Sequence, residues 1–480
     1  MWGILITPSV LLVECYQGFL FLDFNNKQAA YIMQGDMTAE IALLNRQAVA
    51  LAADSAVTIQ HEAKLKVRPT ANKIFQLSKY NPVGVMVYDQ STLVGVPWET
   101  LIKGCREDLG TRSLSTIDEY ADYLFHFIGT SGIISVDLQG RAYVGSLRAY
   151  YSLLEDQLIN EMKNRKDSGL AITSTVANRE FATLVKTHEA RWLKADYLTS
   201  DGQARTREVR KEFGDKIRET IDDAFGRLRL SDATYRRLVR IACLLPVKWP
   251  SVLTPPMSGI VVAGFGTEST FPSLRAYKVA GLLHGVVKLQ ADSDSNVEVG
   301  LRVGAAIVPF AQRRWVDAFL FGLHPLYRTV LAELVADLVK GVSVQTIEGI
   351  SSLTTAEKRA EKKSLPMSGT SAVVREKLTE LDRYTDNEFV QPVVSTLASL
   401  PKEELADIAE ALVNLTSFRQ QVTMDAETVG GPIDVALISR GDGFIWIKRK
   451  HYFEASLNPQ FFATHYERGY DACQTGQDSA

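Results

Sequence analysis

Residues 38–56 read TAEIALLNRQAVALAADSA and carry the most informative pattern in the sequence. Thr38 to Leu44 has the composition of a short strand, and Ala48 to Ala56 is a second apolar stretch rich in Ala and Val. The three residues between them, Asn45 to Gln47, are polar. The stretch therefore predicts an antiparallel hairpin with a short polar turn.

The register of this hairpin predicts which side chains meet at its open end. If the turn is centred on Arg46, Thr38 lies opposite Asp54. Side chains at directly opposed positions are close enough to interact. The register thus predicts a hydroxyl at the start of one strand beside a carboxylate at the end of the next.

Two further apolar segments follow the hairpin. Lys73 opens the first, which runs to Leu77, and the second, Val83 to Tyr88, comes after a turn at Asn81 and Pro82. We therefore expect an antiparallel meander of four strands over residues 38 to 90.

Helical and strand patterns alternate in the remainder of the chain. Helical spacing is found at Thr92–Asp108, Ile117–Ile128 with Ser115 and Thr116 as cap candidates, Pro309–Leu320 and Leu326–Lys340, and in two polar regions at 143–244 and 350–420. Strands are predicted at Ser258–Phe265 and Ser273–Val279, and a hairpin is predicted at 429–447 from its Asp-Gly turn. Two sheets with helices outside them would bury all of these apolar faces.

Composition excludes several classes of protein and partner. The 480 residues are 46% hydrophobic and 23% charged, as in ordinary globular proteins. Lys and Arg number 53 against 56 Asp and Glu, so the charge balance predicts neither a nucleic acid nor a membrane surface as partner. The apolar stretch from Met1 to Phe24 has no Lys or Arg before Lys27, unlike a signal peptide.

Cysteine and histidine spacing argues against a metal. The four cysteines lie far apart without a Cys-x-x-Cys pair, and the seven histidines show no His-x-x-x-His spacing. We therefore predict no metal, no cofactor and no disulfide framework. Scattered cysteines of this kind are typical of a reducing compartment, so the expected location is cytoplasmic.

Three segments together resemble a known family. Thr38-Ala39-Glu40-Ile41-Ala42, Val49 to Ser55 and Lys73-Ile74 look like the opening of a proteasome β-subunit, a member of the N-terminal-nucleophile hydrolase superfamily. The resemblance implies an α+β fold, a four-layer αββα sandwich of two antiparallel sheets. It further implies one domain over 38–480, with helical insertions at about 141–250 and 325–420 that have no counterpart in the family.

The resemblance also implies the roles of individual residues. Thr38 takes the place of the nucleophile, Asp54 and Lys73 take the places of the family's paired aspartate and lysine, and the backbone amide at Asp89 takes the place of the oxyanion donor. The chain departs from the family in three places. The residue at the oxyanion position is usually glycine, the loop 308–312 lacks an auxiliary serine, and only Asp425 or Glu427 could replace a missing aspartate.

An N-terminal nucleophile requires a free α-amine, because that amine is the base that takes the hydroxyl proton. Thr38 must therefore become the first residue. Residues 1–37 are expected to be an extension, either a mis-assigned start, with translation beginning at Met37, or a propeptide removed by self-cleavage.

Two functions remain open at this point. The first is a threonine hydrolase that cleaves amide bonds, a proteasome-like peptidase acting on a peptide or protein. The second is a non-catalytic scaffold or assembly subunit of the same fold, with the helical insertions serving assembly. The resemblance implies self-association in either case, and it leaves an ATPase partner undecided.

Overall fold

The structure is a computed structural model, and it describes residues 11–13, 20–22, 39–61, 64–68, 71–250, 257–311, 313–364, 372–422, 430–450 and 453–462. Within these residues the chain is a mixed α+β protein with antiparallel sheets. None of its described helices combines the length and the apolar character that a membrane crossing requires.

The strands are short, and most of them lie in the first and third quarters of the chain. They are β1 (Leu11–Val13), β2 (Leu20–Leu22), β3 (Ala39–Asn45), β4 (Ala48–Ala53), β5 (Val57–His61), β6 (Lys64–Arg68), β7 (Ile74–Gln76), β8 (Val83–Asp89), β9 (Thr92–Leu93), β10 (Val96–Pro97), β11 (Ser258–Gly264), β12 (Ser273–Leu283), β13 (Val286–Ala291), β14 (Val297–Glu298), β15 (Ala305–Ala311), β16 (Asp434–Ser439) and β17 (Gly443–Lys448).

The helices form three groups along the chain. They are α1 (Trp98–Leu109) and α2 (Ile117–Thr130); α3 (Val136–Asp167), α4 (Ser174–Lys194), α5 (Gly202–Phe225) and α6 (Asp232–Leu244); and α7 (Arg313–Phe321), α8 (Pro325–Gly349), α9 (Thr355–Ser364), α10 (Ala372–Thr385), α11 (Gln391–Ser399) and α12 (Lys402–Val422), with a π-helical turn at Asp386–Val390 and a last short helix α13 (Pro459–Phe462).

Two antiparallel sheets carry most of the strands. The first, here called sheet A, has the order β13-β12-β11-β8-β7, and β14 pairs with β12. The second, sheet B, has the order β15-β3-β4-β16-β17. Both sheets therefore combine strands from the start of the chain with strands that follow the helical regions.

The buried side chains divide by the face of the sheet on which they lie. In β3, Ala42 and Leu44 belong to a cluster shared with sheet A, whereas Ile41 and Leu43 pack with α7, α11 and α12. On sheet A a separate cluster joins the other face to α1 and α2. The alternation follows from the two-residue period of a strand, which sends successive side chains to opposite faces.

Helices α3 to α6 form a core of their own. Aromatic and aliphatic side chains from all four helices make one buried cluster, which touches the sheets through Leu283. Most of this cluster lies in the region 143–244, whose sequence predicts polar helices, and Leu245, Val247 and Leu283 are its buried members outside that region. The polarity of the region is that of the outer faces, while a buried stripe runs along each helix.

The predicted register of the first hairpin is wrong by one residue. The structure pairs Glu40 with Ala53 and Leu44 with Val49, so Ala39 and not Thr38 is opposite Asp54. The turn contains two residues rather than three because the Asn45 side chain accepts hydrogen bonds from the amides of the next residues, Gln47 and Ala48, at 2.9 and 3.1 Å. An Asx turn of this kind shortens the loop.

Two predicted helix starts are also wrong. The helix expected from Thr92 begins at Trp98, because Gly95 and Pro97 lie in the small β9–β10 hairpin that precedes it. The helix expected from Pro309 begins at Arg313, and Pro309 lies in β15, at the edge of sheet B. An edge strand tolerates proline because one side of its backbone has no partner strand.

Candidate active site

Two residues of the predicted site, Asp54 and Lys73, lie at neighbouring strand ends. Asp54 directly follows β4, and Lys73 directly precedes β7. Lys73 Nζ lies 2.5 Å from Asp54 Oδ1, which is an ion-pair contact. The pair joins a residue at the end of a sheet B strand to a residue at the start of a sheet A strand.

A second carboxylate completes this cluster. Glu40 Oε1 lies 2.9 Å from Lys73 Nζ. Glu40 belongs to β3 and shares its face with Ala42 and Leu44, the face that packs against sheet A. Lys73 therefore bridges two carboxylates that come from the two strands of one hairpin.

The Asp54 carboxylate is held by backbone amides as well as by Lys73. Its Oδ1 accepts a hydrogen bond from the Ala39 amide at 3.1 Å, and its Oδ2 accepts one from the Gly430 amide at 3.0 Å. The Asp54 amide in turn donates to the Ala39 carbonyl at 3.1 Å. These contacts place Asp54 beside Ala39, the residue that follows Thr38 in the chain.

All three charged side chains are removed from solvent. Glu40, Asp54 and Lys73 are 2, 1 and 5% exposed. Burial by itself favours the neutral amine, but the adjacent Glu40 and Asp54 carboxylates outweigh it and raise the pKa of Lys73 above its usual 10.5. The Lys73 side chain is thus held as an ammonium ion at neutral pH.

Sequence reasoning missed Glu40 as a partner of Lys73. The signal was present, because Glu40 is the one ionisable side chain between Thr38 and Asn45 in an otherwise apolar strand. A carboxylate in such a strand must find a partner when it is buried. The identity of that partner was not visible, since Lys73 lies more than thirty residues away.

Thr38, the predicted nucleophile, lies outside the described residues, as do Asp425 and Glu427. The description of this segment begins at Ala39, which is 4% exposed. The structure therefore describes the surroundings of Ala39, the residue that follows Thr38 in the sequence. The catalytic role of Thr38 stays a prediction.

Asp89, the predicted source of the oxyanion amide, ends β8 with a positive φ of 63°. Aspartate is among the residues that tolerate this left-handed conformation. The Val87 amide donates to the Lys73 carbonyl at 2.8 Å, so Asp89 lies two residues beyond Lys73 along the paired strand. At the usual rise of a strand, this offset of two residues is about 7 Å measured along the strand axis.

The backbone after Asp89 is anchored to sheet A. The Ser258 hydroxyl donates to the Gln90 carbonyl at 2.9 Å and accepts from Trp98 Nε1 at 2.7 Å. Trp98 is the first residue of α1 and is 1% exposed. The backbone that follows the left-handed residue Asp89 is therefore held against sheet A.

The described residues include no group of three or more His, Cys, Asp or Glu side chains that could hold a metal ion. At Glu40 and Asp54, where two carboxylates do meet, the Lys73 ammonium lies against both. The cation of this site is thus supplied by the chain.

Comparisons with known proteins add no family to this geometry. The sequence matches no protein-family model, and a search of curated proteins found no similar one.

Proposed function

We propose that the chain is an N-terminal threonine hydrolase that cleaves amide bonds, with Thr38 as nucleophile and a peptide or protein as substrate. The observation that carries the proposal is the buried cluster of Glu40, Asp54 and Lys73 directly beside Ala39. A fixed ammonium ion next to the chain position that follows the nucleophile is what a developing alkoxide would need.

The arrangement of the sheets supports the fold that the proposal requires. One apolar cluster lies between sheets A and B, and each outer face packs on helices, α1 and α2 on one side and α7, α11 and α12 on the other. We infer a four-layer αββα sandwich from these three clusters. Helices α3 to α6 would then be an insertion between α2 and β11.

In the proposed reaction Thr38 Oγ1 attacks the carbonyl carbon of the scissile amide. The free α-amine of Thr38 accepts the hydroxyl proton and later delivers it to the leaving amine. The backbone amide at Asp89 stabilises the oxyanion, and the C–N bond breaks to leave an ester on Thr38. Water then hydrolyses this ester, releasing the acid and restoring the hydroxyl.

Lys73 would lower the energy of the charge that develops on Thr38 Oγ1. Its own position is set from two sides, by Asp54 after β4 and by Glu40 within β3. Because both carboxylates are buried, the Lys73 side chain has little freedom to leave them. Glu40 is therefore a positioning residue in this proposal.

A labelling experiment tests the nucleophile. Two forms of the protein are prepared, one that begins at Thr38 and one that retains residues 1–37, and both are treated with a β-lactone. We expect acylation of Thr38 in the short form only, because a peptide nitrogen has no available lone pair to act as base. Intact-mass measurement and peptide mapping locate the adduct.

Variants of the short form give the controls. Thr38→Ala should abolish the adduct, and Thr38→Ser should retain part of it since a hydroxyl survives. Equal acylation of the long and short forms would rule out the α-amine as base. Absence of acylation in a folded short form would remove the hydrolase proposal in favour of the scaffold.

The scaffold is the second candidate because one helix exposes apolar side chains. In α8, Tyr327, Leu334 and Leu338 are 68, 61 and 68% exposed. Large exposed apolar groups on one helix are typical of an assembly surface. Sedimentation over micromolar concentrations tests this candidate, and a monomer throughout would count against both a scaffold and the self-association proposed with the hydrolase.

A further inference from the structure

A cavity of about 1000 Å³ lies where helices α3 and α4 meet the β12–β13 edge of sheet A. The segment that follows α6 forms another part of its wall, through Leu245 and Trp249. Sites for small molecules have volumes of roughly 300 to 1000 Å³. The cavity is therefore large enough for an organic ligand.

Aromatic side chains from three parts of the chain line this cavity. Tyr143 and Tyr150 come from α3, Trp192 comes from α4, and Trp249 follows α6. Tyr150 is held in place because its hydroxyl accepts a hydrogen bond from Trp192 Nε1 at 2.9 Å. The lining thus presents fixed rings to whatever occupies the space.

Lys288 of β13 brings a positive charge to the same wall. Its Nζ donates to the Leu245 carbonyl at 2.6 Å and lies 5.4 Å from the ring centres of both Trp192 and Trp249. In the described part of the chain no carboxylate makes an ion pair with it. An ammonium ion has three hydrogens to donate, so Lys288 can still bind an acceptor within the cavity.

Two glycines leave the space open. A Cβ atom added at Gly145 of α3 or at Gly281 of β12 would meet no atom within 4 Å. Gly281 is paired with Lys288 and lies at a β-bulge that follows Val279. Bulges change the direction of a strand and are frequent beside binding sites. Both glycines line the cavity, and the absence of their side chains leaves room for a ligand. Gly281 leaves this room directly opposite Lys288.

We propose that this cavity binds a small organic anion with an aromatic body, its negative group on the Lys288 ammonium and its body against the Tyr and Trp rings. Asp54 and Lys73 do not line the cavity, but Gln90 and Ser258, which anchor the backbone after Asp89, do, so the cavity adjoins the proposed hydrolase site. The proposal assigns a ligand site to the boundary between the helical insertion and sheet A, and it does not require Thr38 to be a nucleophile.

The electrostatics of Lys288 favour an anion as the ligand. Burial lowers its pKa to about 7, since the charged form has lost water without gaining a carboxylate. A ligand anion would supply that missing charge. A cationic ligand would also meet the aromatic rings, but it would have to approach the Lys288 ammonium.

Two dyes of nearly the same shape test the proposal. 8-Anilinonaphthalene-1-sulfonate carries a sulfonate, and N-phenyl-1-naphthylamine has the same aromatic body without it. Fluorescence titrations at pH 6 should show binding of both by the full chain. Lys288→Met should weaken binding of the sulfonate about tenfold, which corresponds to the loss of one charge-assisted hydrogen bond, and should change the neutral dye less than about twofold.

A second variant tests the place of binding. Gly145→Leu projects a side chain into the cavity while improving helix propensity, so the fold should survive and both dyes should bind about tenfold more weakly. Lys278→Met and Gly214→Leu are the matched controls, because neither position lines the cavity and an added Cβ at Gly214 also meets open space. Both controls should bind the dyes as the unmodified chain does.

The outcomes separate cleanly. Loss of both dyes with Gly145→Leu, together with selective loss of the sulfonate with Lys288→Met, supports the site. Unchanged binding in Gly145→Leu would overturn it, because the dyes would then bind elsewhere. An equal effect of Lys288→Met on the two dyes would overturn the anion as the ligand class.

Discussion

Lys73 is buried and Lys288 is half-buried, and their ammonium groups lie in opposite surroundings. Lys73 lies between Glu40 and Asp54, whereas the Lys288 ammonium meets the Leu245 carbonyl and two Trp rings. Burial disfavours the charge in both places. Two carboxylates overcome it at Lys73, whereas no carboxylate of the described residues does so at Lys288.

The difference predicts that the Lys73 charge stabilises the fold and that the Lys288 charge destabilises it. The charges of Lys73, Glu40 and Asp54 depend on one another, because removal of one leaves the others buried without full compensation. At Lys288 no other described side chain depends on the charge. The same residue type is therefore expected to respond in opposite directions to the same substitution.

The largest expected effect is the loss of the Lys73 charge. Lys73→Met should lower the free energy of unfolding by about 3–5 kcal/mol at pH 7, because it leaves two buried carboxylates without a cation. Urea unfolding measures the change. A loss below about 1 kcal/mol would contradict the mutual dependence of the three charges.

The two carboxylates should differ from one another. Asp54→Asn should lower the free energy of unfolding by about 2–3 kcal/mol, because the Asp54 carboxylate accepts hydrogen bonds from the Ala39 and Gly430 amides as well as from Lys73. Glu40→Gln should cost about 1 kcal/mol, since Lys73 then keeps Asp54 as a single partner. The same urea measurement compares them, and a reversed order would show that Glu40 is the principal partner.

The substitution of Lys288 should have the opposite sign. Lys288→Met should raise the free energy of unfolding at pH 6 by about 1–2 kcal/mol. The reason is that burial lowers the pKa of the Lys288 amine, so keeping this amine charged destabilises the folded state. The chain with Lys288 should gain stability between pH 7 and about 10, where the unfolded state binds the proton and the folded state does not.

Unfolding curves across this pH range check the Lys288 prediction. The difference between Lys288→Met and the unmodified chain should shrink as the pH rises through 7. The other ionisable side chains of the lining are Asp156, Tyr143 and Tyr150, and burial raises the pKa of both tyrosines. A stability difference that stays constant from pH 6 to 10 would show that Lys288 keeps its charge.

The smallest effect should come from an exposed lysine of the same sheet. Lys278 in β12 is 44% exposed and lies 3.9 Å from Asp292. Lys278→Met should change the free energy of unfolding by less than about 0.5 kcal/mol, as is usual for solvent-screened pairs. A larger decrease would mean that removing even an exposed lysine from sheet A destabilises the fold. The different effects expected at Lys73 and Lys288 could then not be assigned to their neighbouring charges.

Much of the strand and turn structure could be predicted because its signals are local. The apolar segments before and after the polar turn at Asn45 predicted β3 and β4, and the Asp-Gly turn predicted the β16–β17 hairpin. The predicted cap Thr116 does accept a hydrogen bond from the Glu119 amide. Each of these features is decided by residues within a few positions of one another.

The errors arose where a distant or unusual interaction decided the structure. The hairpin register depended on Asn45, whose amide group also donates to the Leu397 and Leu400 carbonyls from far along the chain. Pro309 reads as a helix start but lies in an edge strand, because β3 was available as its partner. Periodicity alone carries no information about such partners.

Local sequence signals were enough to predict the strands of the first hairpin and the positions of Asp54 and Lys73 at neighbouring strand ends. Tertiary packing brought two carboxylates to Lys73, left Lys288 without one among the described residues, and formed the cavity between the helical insertion and sheet A. The two groups of features differ in the distance along the chain over which the deciding interactions act. Propensity and turn chemistry act over a few residues, whereas the pairing of buried charges depends on which strands and helices pack together across the whole chain.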